Sequence, residues 1–177
     1  MSRGAHFLPD SGVELVSRHS THARLPPEGP QTSIPAGVTG LVDRNIVQAR
    51  VEKIRESVAR LRAFAAIDEL SFCNDPDACA LAERHLQIAI QAAIDIGHHI
   101  VADMDLGLPQ DYKDVFRILA KNDVVTEELG RKLELMTGMR NILVHDYLQI
   151  DASRIYAVLQ TGLADFDEFV GAILKLL

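Results

Sequence analysis

The chain has 177 residues, of which 47% are hydrophobic and only 5% aromatic, and its formal net charge is −7. An aliphatic core with few rings favours packed helices over β-sheets. The negative charge excludes a general basic surface that would coat nucleic acid, so any nucleic-acid chemistry must come from a small, locally positive site.

Two further features bear on where the chain acts. No run of 18 apolar residues occurs, and the N-terminus lacks a basic start followed by an apolar core, so we expect neither a membrane partner nor a secretory signal. The two cysteines, Cys73 and Cys79, match neither a zinc motif nor a disulfide framework. We therefore expect a reduced, cytoplasmic protein.

The N-terminal segment differs from the rest of the sequence. Residues 1–40 contain five of the seven prolines, show no helical or strand period, and carry three basic and three acidic residues. We expect a disordered extension, or an artefact of the start site or of expression, followed by one folded domain over residues 41–177.

The folded part predicts long helices with short connections, an all-α antiparallel bundle of four to five helices. We expect a buried stripe on each of the first two helices. In the first it comprises Ile46, Val47, Val51, Ile54, Val58, Leu61 and Ala65, and in the second Leu81, His85, Ile88, Ala92, Ile96 and Ile100. The first predicted helix begins after a cap at Asp43 and ends near Phe72, and the second runs from the Asp75 cap and Pro76 to about Met104. The third covers Tyr112 to Ala120. The fourth runs from the Thr126 cap to about Tyr147, and the fifth from Asp151 to the C-terminus.

The fourth helix carries a misplaced cation. Its apolar stripe places Arg140 where an aliphatic residue is expected, and a guanidinium there is costly unless it extends to water, pairs, or faces a polar cleft. On spacing alone, a structural ion pair or a side chain that extends to water is the simpler interpretation. The stripe comprises Leu129, Leu133, Met136, Arg140, Leu143 and Tyr147.

A second row on the same helix holds Gly138, Asn141 and His145. Asn141 and His145 are four residues apart and therefore neighbours, with space beside them at Gly138. Arg140 and His145 lie about 140° apart around an ideal helix. They can flank one groove, or two copies of the chain can line a shared cleft. An ordinary Asn–His pair and a packing role for Tyr147 remain alternatives.

The stretch MTGMRNILVHDYLQID resembles the R-N-x-L-x-H-x-Y signature of HepT-like toxins, a branch of the HEPN superfamily, and the segments ERHLQIAIQAAIDIGHHIVAD and VDRNIVQARVEKIRESVARL resemble its two long helices. The resemblance covers about residues 41–177. It implies a homodimer that cleaves RNA without a metal or other cofactor, with Arg140, Asn141 and His145 as the ribonuclease residues. It also implies a nucleotidyltransferase antitoxin of the MntA kind that silences the toxin by transferring AMP to Tyr147.

The residue types fit that chemistry. The imidazole of His145 can exchange protons with the ribose 2′-OH near neutral pH. The guanidinium of Arg140 matches the oxygens of a phosphate, and Asn141 can orient either the imidazole or the phosphate. We expect a product that ends in a 2′,3′-cyclic phosphate.

Two other functions compete with a ribonuclease: a non-catalytic HEPN module that binds RNA or nucleotide beside a nucleotidyltransferase partner, and a plain helical dimerisation protein. His98, His99 and Asp103 suggest metal ligands, but they do not complete a zinc site, so we expect a polar helix face and no metal. Asp95 either pairs with His99 or borders the cleft.

Overall fold

The computed structural model describes residues 44–145 and 151–177, although for His145 it describes the backbone alone. The predicted cap Asp43, the predicted extension 1–40 and Tyr147 lie outside the described residues. Within them the chain forms seven helices and no strand, which confirms the all-α prediction. The helices are α1 (Arg44–Ala65), α2 (Glu69–Cys73), α3 (Pro76–Asp103), α4 (Tyr112–Lys121), α5 (Glu127–His145), α6 (Ala152–Thr161) and α7 (Leu163–Leu176).

Two of the five predicted helices are each divided in two. The first ends at Ala65 rather than near Phe72, because Asp68 accepts a hydrogen bond from the backbone N–H of Ser71 at 3.0 Å and so caps a new helix, α2. The last predicted helix breaks at Gly162, whose flexible backbone is costly inside a helix. The predicted caps at Asp75 and Thr126 are confirmed by hydrogen bonds to Ala78 N and Leu129 N.

Helix α3 lies at the centre of the bundle, where it contacts every other helix and pairs most extensively with α1. The predicted stripe on α3 is confirmed at Ala92, Ile96 and Ile100, which are buried, and wrong at Leu81, which is 53% exposed. The buried surface is also broader than one stripe, because several helices pack against α3. Burial lowers the pKa of the half-buried His85, and nearby Arg60 and Arg84 lower it further. Ile46 on α1 is also exposed, at 48%, because it lies beside the buried position Val47 rather than on that row.

Two glycines set the distances between the helices that carry the site. A Cβ at Gly97 of α3 would lie 2.5 Å from Val115 of α4, and a Cβ at Gly130 of α5 would lie 2.8 Å from the Cβ of Ala120 of α4. Only glycine allows such close approach without a shift of the neighbouring helix. These contacts fix α4 against both α3 and α5.

None of the helices over residues 44–145 and 151–177 combines the length and the apolar character needed to cross a membrane.

Candidate active site

The apolar stripe of α5 is confirmed over its described residues, and Arg140 lies on it. Leu129, Leu133 and Met136 are buried, and Arg140 follows them as a half-buried side chain, ahead of the partly buried Leu143. It borders an open pocket of about 340 Å³ between α1, α3 and α5. The sequence allows a cation on this stripe to extend to water, to pair or to face a polar cleft. In the structure the guanidinium of Arg140 faces a polar cleft.

Within residues 44–145 and 151–177, two contacts hold the guanidinium of Arg140. Its Nε donates a hydrogen bond to Oε1 of Gln91 on α3 at 3.1 Å. Its Cζ lies 5.2 Å from the ring centroid of Tyr112, the first residue of α4. A cation over an aromatic ring gains about 0.5–2 kcal/mol. Both partners are neutral, so they orient the cation without cancelling its charge.

The contact to Gln91 belongs to a hydrogen-bond network that crosses three helices. Gln91 Nε2 donates to Asp95 Oδ1 at 2.9 Å, and the other oxygen of Asp95 lies 3.2 Å from Nε of Arg50 on α1. Such chains of polar contacts in a partly dry environment restrict the side chains that they join. The guanidinium of Arg140 is therefore positioned before any ligand arrives.

The same network decides between the two alternatives for Asp95. Asp95 borders the Arg140 pocket and pairs with Arg50. His99 instead lies with Nε2 3.2 Å from Oδ2 of Asp103, one turn further along α3. His98 packs edge-on against Tyr112, with ring centroids 6.1 Å apart. In the part of the chain that the structure describes, no three candidate metal ligands lie together.

Asn141 and the backbone position of His145 lie on a different side of α5 from Arg140. Asn141 is exposed beside Arg140, and among the described residues nothing lies within 4 Å of a Cβ built at Gly138, so the predicted space is present. Helix α5 stays regular through position 145. The backbone positions of Arg140 and His145 are therefore about 140° apart around the axis of α5. The side chain of His145 lies outside the described part of the structure.

Gln91 and Tyr112 are functional candidates that the sequence did not reveal. A signal for Gln91 was available, because an otherwise apolar helix keeps polar residues at positions 84, 87, 91 and 95, in steps of three and four. Tyr112 had no such signal, since its distance to Arg140 depends on how α4 packs.

An all-helical bundle that exposes a positioned arginine in a cation-lined pocket has the architecture that the HEPN resemblance implies. Comparison with known proteins supports this directly. A model of the family described as "Ribonuclease HepT-like" matches residues 54–173. The chain therefore belongs to the ribonuclease HepT-like family, which confirms the family predicted from the sequence.

Two individual relatives support this family assignment. The chain is 40% identical over 89 residues to the mRNA nuclease HepT of Shewanella oneidensis, covering 50% of this chain and 67% of that protein. It is 30% identical over 128 residues to the tRNA nuclease HepT of Aphanizomenon flos-aquae, covering 72% of this chain and 87% of that protein.

A solved structure of a tri-AMPylated Shewanella oneidensis HEPN toxin in complex with an MNT antitoxin superposes with a TM-score of 0.69 at 32% identity, covering 75% of this chain and 98% of that chain. A toxin–antitoxin crystal structure with AMP-PNP superposes with a TM-score of 0.70 at 31% identity, covering 75% of this chain and 99% of the other.

Proposed function

We propose that this chain is the toxin of a toxin–antitoxin pair, an endoribonuclease that cleaves RNA in the cytoplasm without a metal ion. The observation that carries the proposal is the Arg140 guanidinium, oriented by Gln91 and Tyr112 at the wall of an open pocket in a member of a ribonuclease family. The mRNA and tRNA nucleases among its relatives support the substrate class.

Each residue has a role that follows from its chemistry. The ribose 2′-oxygen attacks the adjacent phosphorus, and His145 takes the proton from that hydroxyl. The bond between phosphorus and the 5′-oxygen of the next nucleotide breaks, and that oxygen takes a proton from solvent. Arg140 stabilises the charge that builds up on the phosphate oxygens, and Asn141 orients the phosphate or the imidazole. The products are a 2′,3′-cyclic phosphate and a 5′-hydroxyl.

A homodimer completes this site. Because position 145 faces about 140° away from Arg140 on a regular helix, a second copy is the simplest source of a histidine opposite each arginine. The exposed face of α5 next to Asn141 is apolar, with Leu135 77% exposed and Ile142 37% exposed on either side of the open space at Gly138. Such a face suits burial against a like surface.

The partner that silences the toxin is a nucleotidyltransferase of the MntA kind. Transfer of AMP proceeds when the Tyr147 phenol oxygen attacks the α-phosphorus of ATP, the phenol proton is lost and pyrophosphate leaves. The complex of an AMPylated HEPN toxin with its MNT antitoxin supports this type of control. A bulky anion on Tyr147 would exclude RNA by volume and charge and would compete for Arg140.

The chemistry of cleavage is tested with purified protein and a short RNA in the presence of EDTA. We expect cleavage to persist and the upstream product to carry a 2′,3′-cyclic phosphate, detected by mass spectrometry. The control is the same RNA with a 2′-deoxyribose at the cleaved position, which should resist. Cleavage that requires added divalent metal would contradict the mechanism, and RNA binding with no cleavage would favour the non-catalytic module.

A second test concerns Gln91 as a positioning residue. Replacing Gln91 with Leu removes the partner of Arg140 Nε and separates Asp95 from the network. We expect kcat for RNA cleavage to fall by about 10- to 100-fold, because a misplaced guanidinium stabilises the transition state poorly, with a smaller change in KM. Gln160→Leu is the matched control, since Gln160 bonds to the Ala65 carbonyl elsewhere in the bundle. Unchanged kcat in Gln91→Leu would show that Arg140 needs no such support.

A further inference from the structure

The Arg140 pocket carries more positive charge than one phosphate needs. Among the residues that the structure describes, four cations line it, Arg50, Lys53, Arg84 and Arg140, against one carboxylate, Asp95. This concentration stands out in a chain whose formal net charge is −7. Because one sign of charge within a concave surface raises the local concentration of ions of the opposite sign, the pocket attracts anions although the whole protein repels them.

Two of these arginines are held differently from four arginines outside the pocket. Arg84 Nη1 donates to Oε1 of Gln87 at 3.0 Å, as Arg140 donates to Gln91. Both are thus oriented by a neutral amide. Four arginines outside the pocket pair with carboxylates instead: Arg55 with Glu52, Arg62 with Asp167, Arg117 with Asp114 and Glu134, and Arg131 with Glu127.

The other two cations of the pocket, Arg50 and Lys53, pair with carboxylates. Arg50 is held within the network, whereas Lys53 is held loosely. Arg50 is paired with Asp95, whose second oxygen accepts from Gln91, so this carboxylate is engaged within the network. Lys53 pairs with Glu56, but both side chains are more than half exposed, at 58% and 65%. An exposed pair of this kind contributes little stability. Lys53 can therefore exchange Glu56 for a phosphate at little cost.

The spacing of the cations fits a polynucleotide strand better than a single phosphate ion. Arg84 and Gln91, the partner of Arg140, are seven residues apart on α3, which corresponds to about 10 Å along the helix axis. A single phosphate group is too small to bridge that length, whereas a polynucleotide presents a phosphate at each nucleotide.

We propose that Arg84 and Lys53 form a subsite that binds a backbone phosphate of the RNA next to the phosphodiester held at Arg140. The inference rests on the proposed function, because it takes the phosphodiester at Arg140 as the one that is cleaved. In this proposal the RNA strand runs from Arg140 along α3 toward the N-terminal half of that helix. Affinity for RNA then comes from this path and not from the protein surface as a whole.

The test measures binding of a 2′-O-methylated single-stranded RNA, which is not cleaved, by fluorescence anisotropy at several salt concentrations. We expect Arg84→Gln and Lys53→Gln each to weaken binding several-fold at low salt. Each should also reduce the slope of log affinity against log salt by about 0.7, the value for one phosphate contact on a single strand. Arg84→Lys should keep the slope. Arg55→Gln is the matched control, an exposed arginine on α1 outside the pocket, and should bind like the wild type.

Affinity and slope in Arg84→Gln and Lys53→Gln equal to those of Arg55→Gln, at unchanged melting temperature, would overturn the subsite. So would variants that bind RNA normally but escape modification by the nucleotidyltransferase, because the pocket would then serve the partner. Cleavage of unmodified RNA by the wild type separates the two claims. If the wild type does not cleave, the proposed function fails, and the salt slopes still decide whether Arg84 and Lys53 contact phosphates.

Discussion

Replacing Arg140 with Ala is expected to abolish toxicity and to reduce kcat/KM for RNA cleavage by at least about 100-fold, the usual effect of removing one group that stabilises transition-state charge. Arg140→Lys should rescue little, because an ammonium presents neither the planar fork nor the Nε that bonds to Gln91. Growth after induced expression, together with the integrity of cellular RNA, measures the effect.

The matched control is Arg131→Ala, since Arg131 lies on the same helix but is exposed and paired with Glu127. In Arg140→Ala, loss of the hydrogen bond to Gln91 and of the contact with Tyr112 should lower the free energy of unfolding by about 1–3 kcal/mol, which thermal unfolding would detect. Toxic, RNA-degrading Arg140→Ala protein at a normal level of expression would remove Arg140 from the reaction.

Replacing Tyr147 with Phe is expected to leave RNA cleavage nearly intact and to make the antitoxin ineffective. In our proposal the phenol oxygen is the atom that accepts AMP, and phenylalanine keeps the ring while removing that atom. Co-expression with the nucleotidyltransferase should therefore rescue cells that carry the wild-type toxin and fail to rescue cells that carry Tyr147→Phe. Mass spectrometry should find the added AMP on the wild type alone. Full silencing of Tyr147→Phe would place control at another residue or in simple complex formation.

Much of the fold could be predicted from local sequence. Pro76 after Asp75, and Thr126 before two glutamates, mark helix starts because a side-chain cap satisfies backbone N–H groups whatever the rest of the chain does. The break at Ala65 was missed, because an apolar period continues across it and only the competing cap at Asp68 ends the helix. The buried surface of α3 was predicted too narrowly, because a central helix that packs against several neighbours buries more than one stripe.

The candidate site also combines a residue that local sequence predicts with residues that only the packing of helices reveals. Arg140 could be predicted because a cation interrupts an otherwise apolar stripe, a signal that lies within one helix. Its partners Gln91 and Tyr112 are 49 and 28 residues away in sequence and meet it only when α3, α4 and α5 pack. Their proximity depends in part on Gly97 and Gly130, whose missing side chains let α4 approach both neighbours. No single-helix pattern contains that information.

The most direct measurement is a crystal structure of the protein with a short RNA that carries a 2′-O-methyl group at the cleaved position. The account predicts a dimer in which one phosphate contacts the Arg140 guanidinium within hydrogen-bond distance and the imidazole of a His145, from either copy, faces the adjacent ribose 2′-oxygen. An RNA bound elsewhere, with Arg140 still held only by Gln91 and Tyr112 and with His145 enclosed in a separate environment, would contradict it.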